Sequence, residues 1–303
     1  MRYYLLIICV YIFTHLNGQE FYVSNINNKF TEINDSNSLL EKKRKNFLLI
    51  SEASVYTISL VALNQLWYSG YPRSNFHFIN DNKEWLQMDK IGHMSVSYYS
   101  GVAGIKAYQW AGFNRKNAIW YGGMTGSLFL TIIEILDGTS KQWGASSGDL
   151  IANTTGSLLA IGQALKWDEQ KIQLKYSYSS TKFPLMNEEQ LGGNYYEQAL
   201  KDYNGQTYWL TFNVKSLLNI NKEKFPSWLS IALGYGAENM IEPYPDRTMA
   251  YRQYYLTFDV DLNKIKTKSK IINSVLHTFG FLKFPMPTLE FSNGDVSFHS
   301  IYY

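Results

Sequence analysis

Three pairs of polar side chains stand where acids and imidazole are expensive: Asp89 with His93, Glu134 with Asp137, and Asp149 with Asn153. The members of each pair are three or four residues apart, so on a helix they project from one side. Their surroundings are rich in glycine and alanine and weakly charged, and an uncompensated charge is costly to bury there. The expectation is that the three pairs, joined by Lys90, meet at one polar focus inside a helix bundle. His93, Glu134, Asp137 and Asp149 have the ligand types of a divalent-metal site with one carboxylate left as general base. Such oxygen-rich ligation favours magnesium, calcium or manganese over zinc. No His-Glu-x-x-His motif, second nearby histidine or nucleophile elbow accompanies them, and no residue is assigned as catalytic. Each residue also has a structural reading. Asp89 and Asp149 fall where a helix start needs a cap. Glu134 and Asp137 fall at a helix end, where the dipole opposes them, and that makes this pair the most telling.

The elements that carry these residues follow from hydrophobic period and breakers. Helices are predicted over 88–110, 115–137 and 147–165, separated by Gly112-Phe113-Asn114 and by the stretch from Gly138 to Gly144. In the third, Gly148, Ala152, Gly156, Ala160 and Ala164 recur every four residues and let another helix approach closely. Upstream, residues 19–45 are polar and end in Glu41-Lys42-Lys43-Arg44-Lys45. The stretch from Phe47 to Leu66 contains Glu52, Asn64 and Gln65 and reads as an amphipathic or buried helix rather than a clean span, and 70–83 as a loop.

Beyond Lys166, alternation with period two replaces the helical pattern. Strands are predicted at 172–178, 208–214, 229–236, 254–262, 287–292 and 296–302, the last two joined through the hairpin turn Asn293-Gly294, with a short helix near 270–281. Aromatic and aliphatic residues on one face with small or polar ones on the other fit an outer-membrane barrel, and equally a sheet packed on helices. Six strands are fewer than the eight of a small closed barrel. The fold class is therefore α+β: an N-terminal bundle of small-residue-rich helices and a C-terminal antiparallel sheet or partial outer-membrane-like barrel.

The ordered set Asp89-Lys90-x-x-His93, Glu134-x-x-Asp137 and Gly144-x-x-Ser147-x-Asp149-x-x-x-Asn153-x-x-Gly156 resembles the YfiM-like family of predicted periplasmic lipoproteins, a domain of unknown function. It is similar, more distantly, to VanZ-like membrane proteins. The resemblance covers roughly residues 85–165. It implies a bacterial envelope protein of Bacteroidetes type and supplies no activity. Two departures are plain: the chain lacks the lipobox cysteine of such lipoproteins, and it adds a long strand-rich half.

Composition bounds the rest. In 303 residues, 28 basic side chains face 25 acidic ones, which gives no reason to expect a nucleic-acid partner. Charged residues make up 17 % and aromatics 16 %, a balance suited to a protein that meets lipid at an interface. Met1-Arg2, an apolar run from Tyr3 to Phe13 and the small residue Gly18 read as a secretory signal peptide cleaved after Gly18. Cys9, the single cysteine, lies in that apolar run behind Ile8, so no lipidation is expected and the mature chain has no thiol. The expected organisation is a signal peptide at 1–18, a polar leader, helix and loop at 19–84, a helical domain at 85–166 and a strand-rich domain at 167–303. The expected location is the periplasm or outer membrane of a Gram-negative bacterium, with membrane lipid or an envelope protein as partner. The functional reading is a cell-envelope protein whose buried polar cluster stabilises a helix bundle. The alternative is a metal-dependent hydrolase of an envelope lipid or cell-wall precursor.

Overall fold

The computed structural model describes residues 34–221, 223–246 and 248–303; the expected signal segment at 1–18 and the first part of the polar leader lie outside the described residues. The chain divides into two compact units. One comprises Asn80–Ser95 with Trp167–Tyr303, the other the described residues up to Ile79 with Val96–Lys166. The division falls inside a single helix, Met88–Trp110.

Four long helices dominate the α-rich part: α1 (Asn34–Leu63), α2 (Met88–Trp110), α3 (Gly123–Gly138) and α4 (Ser147–Trp167). α2 and α4 match the sequence reading closely; the expected 115–137 helix is a short α-helical turn, Arg115–Asn117, and a π-helical turn, Ala118–Gly122, leading into α3. α1 begins earlier than expected and runs on into a π-helical turn, Asn64–Tyr68. Its stretch Leu39–Leu63 is long and apolar enough to cross a membrane, as is Arg115–Gly138. Ile50, Ile58 and Val61 are exposed on α1, while Leu48, Ser59 and Leu63 are buried.

The tightest crossing in the helical unit joins α2 to the start of α3, where backbone meets backbone. A Cβ on Gly104 would lie 2.1 Å from the Gly122 carbonyl oxygen, and one on Gly101 would lie 2.7 Å from that of Gly123. The π-helical turn Ala118–Gly122 sits at this crossing. The small-residue stripe of α4 packs nearby, with Ala160 fully buried and 3.4 Å from the same Gly101 position. Leu63, Tyr68, Phe129, Leu130 and Ile133 form one apolar cluster, and Leu48, Ala107, Tyr108, Ala111 and Ala118 another. A short parallel pair, β1 (Phe78–Ile79) with β2 (Ala145–Ser146), lies in what was expected to be loop.

The other unit is built on a six-stranded antiparallel sheet in sequential order, β3 (Ile172–Tyr178), β4 (Gln206–Asn213), β5 (Leu229–Glu238), β6 (Tyr251–Val260), β7 (Met286–Ser292) and β8 (Asp295–Tyr302). All six expected strands are present. At the β7–β8 turn Asn293 and Gly294 have φ of 51° and 85°, the left-handed pair this hairpin needs. The helix α5 (Lys270–Thr278) is capped by Ser269, whose hydroxyl accepts the Ile272 N–H. The sheet stays open, with β3 and β8 at its edges, so the barrel alternative is not a closed one.

One face of the sheet is polar and buried. Lys175 of β3 meets Asp259 of β6 at 2.6 Å with neither side chain exposed, although two strands separate β3 from β6. The sheet must therefore curl strongly around this face. Lys283 adds a second ammonium 3.6 Å from Asp259 and donates to the Phe258 and Phe284 carbonyls. Further along, Trp209 donates to Ser177, and Tyr302 donates to Tyr255. The opposite face carries Ile231, Leu233, Tyr254, Leu256, Phe258 and Phe298, exposed by 39 % to 68 %. The polarity is inverted relative to a water-soluble sheet.

Burial pushes the Lys283 ammonium down to about 8, with Asp259 opposing the shift and Lys175 adding to it. Its folded-state value lies below the ordinary lysine value of about 10.4. Between these limits the native state has shed a proton that the unfolded chain retains, so stability rises with pH across that window. Thermal melts from pH 7.5 to 10 should show this rise in the wild type and a flatter profile in Lys283→Met; parallel profiles would refute the assignment.

Candidate functional site

Within the sheet-bearing unit, the segment Asn80–Ser95 reaches α2 through an unusual turn. Trp85, Leu86 and Gln87 have φ of 46°, 49° and 71°, three consecutive non-glycine residues in the left-handed region. Such backbone costs energy at each position and persists only where surroundings hold it. Here Trp85, Leu86 and Met88 are buried among Phe183, Leu191, Tyr203 and Met240. Tyr235 donates to the Leu86 carbonyl at 2.5 Å, and Arg252 donates to the Gln87 side chain at 2.8 Å. Nothing in the local sequence announces this turn, because its restraint comes from strands far along the chain.

The turn delivers Asp89, Lys90 and His93 onto the first turns of α2. Lys90 is buried and contacts Asp81 at 2.6 Å and Asp89 at 2.8 Å. The sequence reading missed Asp81, which lies in the expected loop. Asp89 thus holds an ammonium rather than serving only as a helix cap. Two carboxylates on one lysine leave this corner net negative, and the neighbouring Glu84 responds: burial first, then the charges of Asp81 and Asp89, push its carboxyl upward, against a hydrogen bond with Tyr244. His93 is half-buried. It precedes Ser97 by four residues and shares its helix face.

In the helical unit, Glu134, Asp137, Asp149 and Asn153 are all buried. Glu134 accepts the Ser146 N–H at 2.8 Å, and the Ser146 hydroxyl accepts the Asp149 N–H at 3.0 Å. Ser146 therefore caps α4, and the expectation that Asp149 does so is corrected: Asp149 lies in the first turn with its side chain free of that duty. The arrangement brings Glu134 and Asp149 to either side of one residue. Asp137 accepts the Tyr68 hydroxyl at 2.8 Å, a partner 69 residues away that no local pattern reveals. One turn beyond Asp149, the Asn153 carbonyl accepts the Ser97 hydroxyl at 2.5 Å, which also touches Ser157 at 3.0 Å. These contacts answer the unfavourable placement of Glu134 and Asp137 at a helix end: a backbone amide and a phenol compensate the two carboxylates.

Chemically, Glu134 and Asp149 offer carboxylate oxygens suited to a hard cation. Asp81 and Asp89 already have one in Lys90. His299 lies on the sheet, where its Nε2 contacts Glu290 at 2.7 Å. Tyr98 is buried, whereas Trp120 and Tyr121 are 40 % and 54 % exposed.

Ser146→Ala removes the cap and should cost about 1 kcal/mol; Glu134→Gln should cost about 1–3 kcal/mol by weakening a buried charge-assisted hydrogen bond. Chemical denaturation reads both, and a Glu134→Gln protein as stable as the wild type would contradict the compensation described above.

Comparison with known proteins gives no significant match to a curated protein or to a solved structure. Residues 77–163, from just before β1 into α4, match the family model described as Predicted periplasmic lipoprotein (DUF2279), in agreement with the resemblance carried by Asp89, Lys90, His93, Glu134, Asp137, Asp149 and Asn153.

Proposed function

We propose that this chain is a cell-envelope protein that contacts the membrane through its own apolar surface and is stabilised by its buried polar network. The observation that carries the reading is the inverted polarity of the sheet. Lys175, Asp259 and Lys283 are sequestered on one face. Leu256, Phe258, Leu289, Phe291, Val296 and Phe298 form the opposite, exposed one, spread over β6, β7 and β8. Exposed apolar patches on soluble monomers rarely exceed a few hundred Å², and a larger one marks a contact surface. Lipid contact also suits strands of eight to ten residues, the length of β5, β6 and β8. The envelope location is supported by the description of the matched family.

The polar residues have a packing role in this reading. Fully satisfied buried polar networks fix a unique arrangement at high cost to any half-satisfied alternative. Within the helical unit, Ser97, Glu134, Asp137, Ser146 and Asn153 would then set the register of small-residue helices, which Gly101 and Gly104 alone leave free to slide.

Expression in a Gram-negative host followed by fractionation tests the location. The protein should sediment with membranes, resist extraction by salt and urea, and enter solution with detergent. Release by urea alone would end the proposal. The double variant Phe258→Glu/Phe298→Glu places charge on the outward face without touching the ion pairs behind it, and should shift the protein toward the soluble fraction by roughly tenfold or more, given a cost of a few kcal/mol for charge in lipid. Metal content measured on the same purified material decides the hydrolase alternative: a stoichiometric divalent ion lost in Glu134→Gln would favour it over a packing role.

A further inference from the structure

A groove in the helical unit, separate from the polar network, holds a carboxylate that forms no ion pair among the described residues. It is a cavity of about 640 Å³ lined by Glu52, Tyr108, Phe113, Trp120, Tyr121 and Leu128, among others. Glu52 is half-buried on α1 and accepts the Tyr108 hydroxyl at 2.8 Å. Among the described residues, no lysine, arginine or histidine forms an ion pair with it. The aromatic rings cluster beside it: the Tyr108 centroid is 4.9 Å from that of Phe113 and 6.4 Å from that of Tyr121. Lys45 takes one face of Phe113, at 5.3 Å from its centroid. Trp120 and Tyr121 remain substantially exposed.

We propose that this groove binds a membrane lipid through its ammonium headgroup. A partly desolvated carboxylate gains from an incoming cation, and aromatic faces attract an ammonium through their quadrupoles. The combination selects positive charge and rejects a bare phosphate or carboxylate head. The groove walls make the ligand a lipid rather than a free amine. Leu49 and Leu128 extend the lining with exposed aliphatic surface. The walls come from α1, from Tyr108 of α2 and Phe113 just beyond it, and from the Arg115–Gly138 segment; Leu39–Leu63 of α1 and Arg115–Gly138 are, among the described residues, the two stretches long and apolar enough to cross a membrane. A headgroup seated at Glu52 would leave its acyl chains along that surface.

The site deepens the membrane reading and rests on it, and one experiment separates their failures. Full-length protein in a nonionic detergent is mixed with equal amounts of phosphatidylethanolamine and phosphatidylglycerol, and retained lipid is counted by native mass spectrometry. The wild type should retain phosphatidylethanolamine preferentially, and Glu52→Gln and Trp120→Ala should each reduce that preference by about tenfold, the equivalent of ~1.4 kcal/mol, with unchanged melting temperature. If Glu52→Gln does not fold, Trp120→Ala and Tyr121→Ala, at exposed positions, decide the matter. Equal retention of the two lipids, or a preference unaffected by these variants, overturns the site while leaving the fractionation result standing. Displacement of the lipid by millimolar tetramethylammonium alone would make the ligand a free amine and likewise overturn it. A protein that fractionates as soluble removes the membrane reading whatever the lipid count.

Discussion

Lys175 and Asp259 meet across the curl of the sheet with no access to water, and this contact constrains everything on the strands that carry them. A buried ion pair repays its desolvation only with good geometry and further hydrogen bonds. Here Lys175 also donates to the Val260 carbonyl, and Asp259 accepts the Phe284 N–H. Because side chains alternate along a strand, a one-residue slip would carry Asp259 to the outer face and bring Phe258 inward. Fixing the ion pair therefore fixes the register, and with it the outward placement of Leu256, Phe258 and their neighbours. The apolar exterior is a consequence of satisfying the interior.

The helical unit meets a different demand by the same means. Glycines at 101, 104, 122 and 123 bring two helices into backbone contact, which maximises dispersion but provides little directional information. Direction comes from hydrogen bonds that span long sequence distances: Tyr68 to Asp137, Ser97 to Asn153, and Ser146 to Glu134. A helix displaced by one turn would leave each of these groups buried without its partner, and that penalty exceeds the worth of the bond itself.

Much of this was legible from sequence, and the rest was not, for physical reasons. The strand Ile172–Tyr178, the Asn293-Gly294 hairpin and the helix ends at Trp110 and Gly138 are set by local alternation, turn chemistry and breakers, which are written in adjacent residues. The acid at position 134 could be flagged because a carboxylate at a helix end is locally unfavourable. Its remedy could not be seen, since the Ser146 amide arrives from another element. Asp81 was passed over because a polar residue in a loop needs no explanation until Lys90 is found against it. The left-handed turn at Trp85–Gln87 is the clearest case. Its residue types argue against it, and it is held by burial among Phe183, Leu191, Tyr203 and Met240 together with the hydrogen bonds of Tyr235 and Arg252. Periodicity also failed to show where the helices touch most closely: the regular stripe on α4 drew notice, while the irregular glycines of α2 and α3 make the tighter contact.

Both units, taken separately, bury paired polar groups inside and turn apolar side chains outward. In the sheet the outward set is Ile231, Leu256 and Phe298; in the helices it is Ile58, Leu128 and Ile151. A body that rests against the membrane needs such side chains over its own area, since each exposed aliphatic group contributes roughly 25 cal/mol per Å² when removed from water. The matched family segment ends at residue 163, before the sheet begins, so the strand-rich half makes this case without help from that match. The polarity of its two faces is a property of the chain itself.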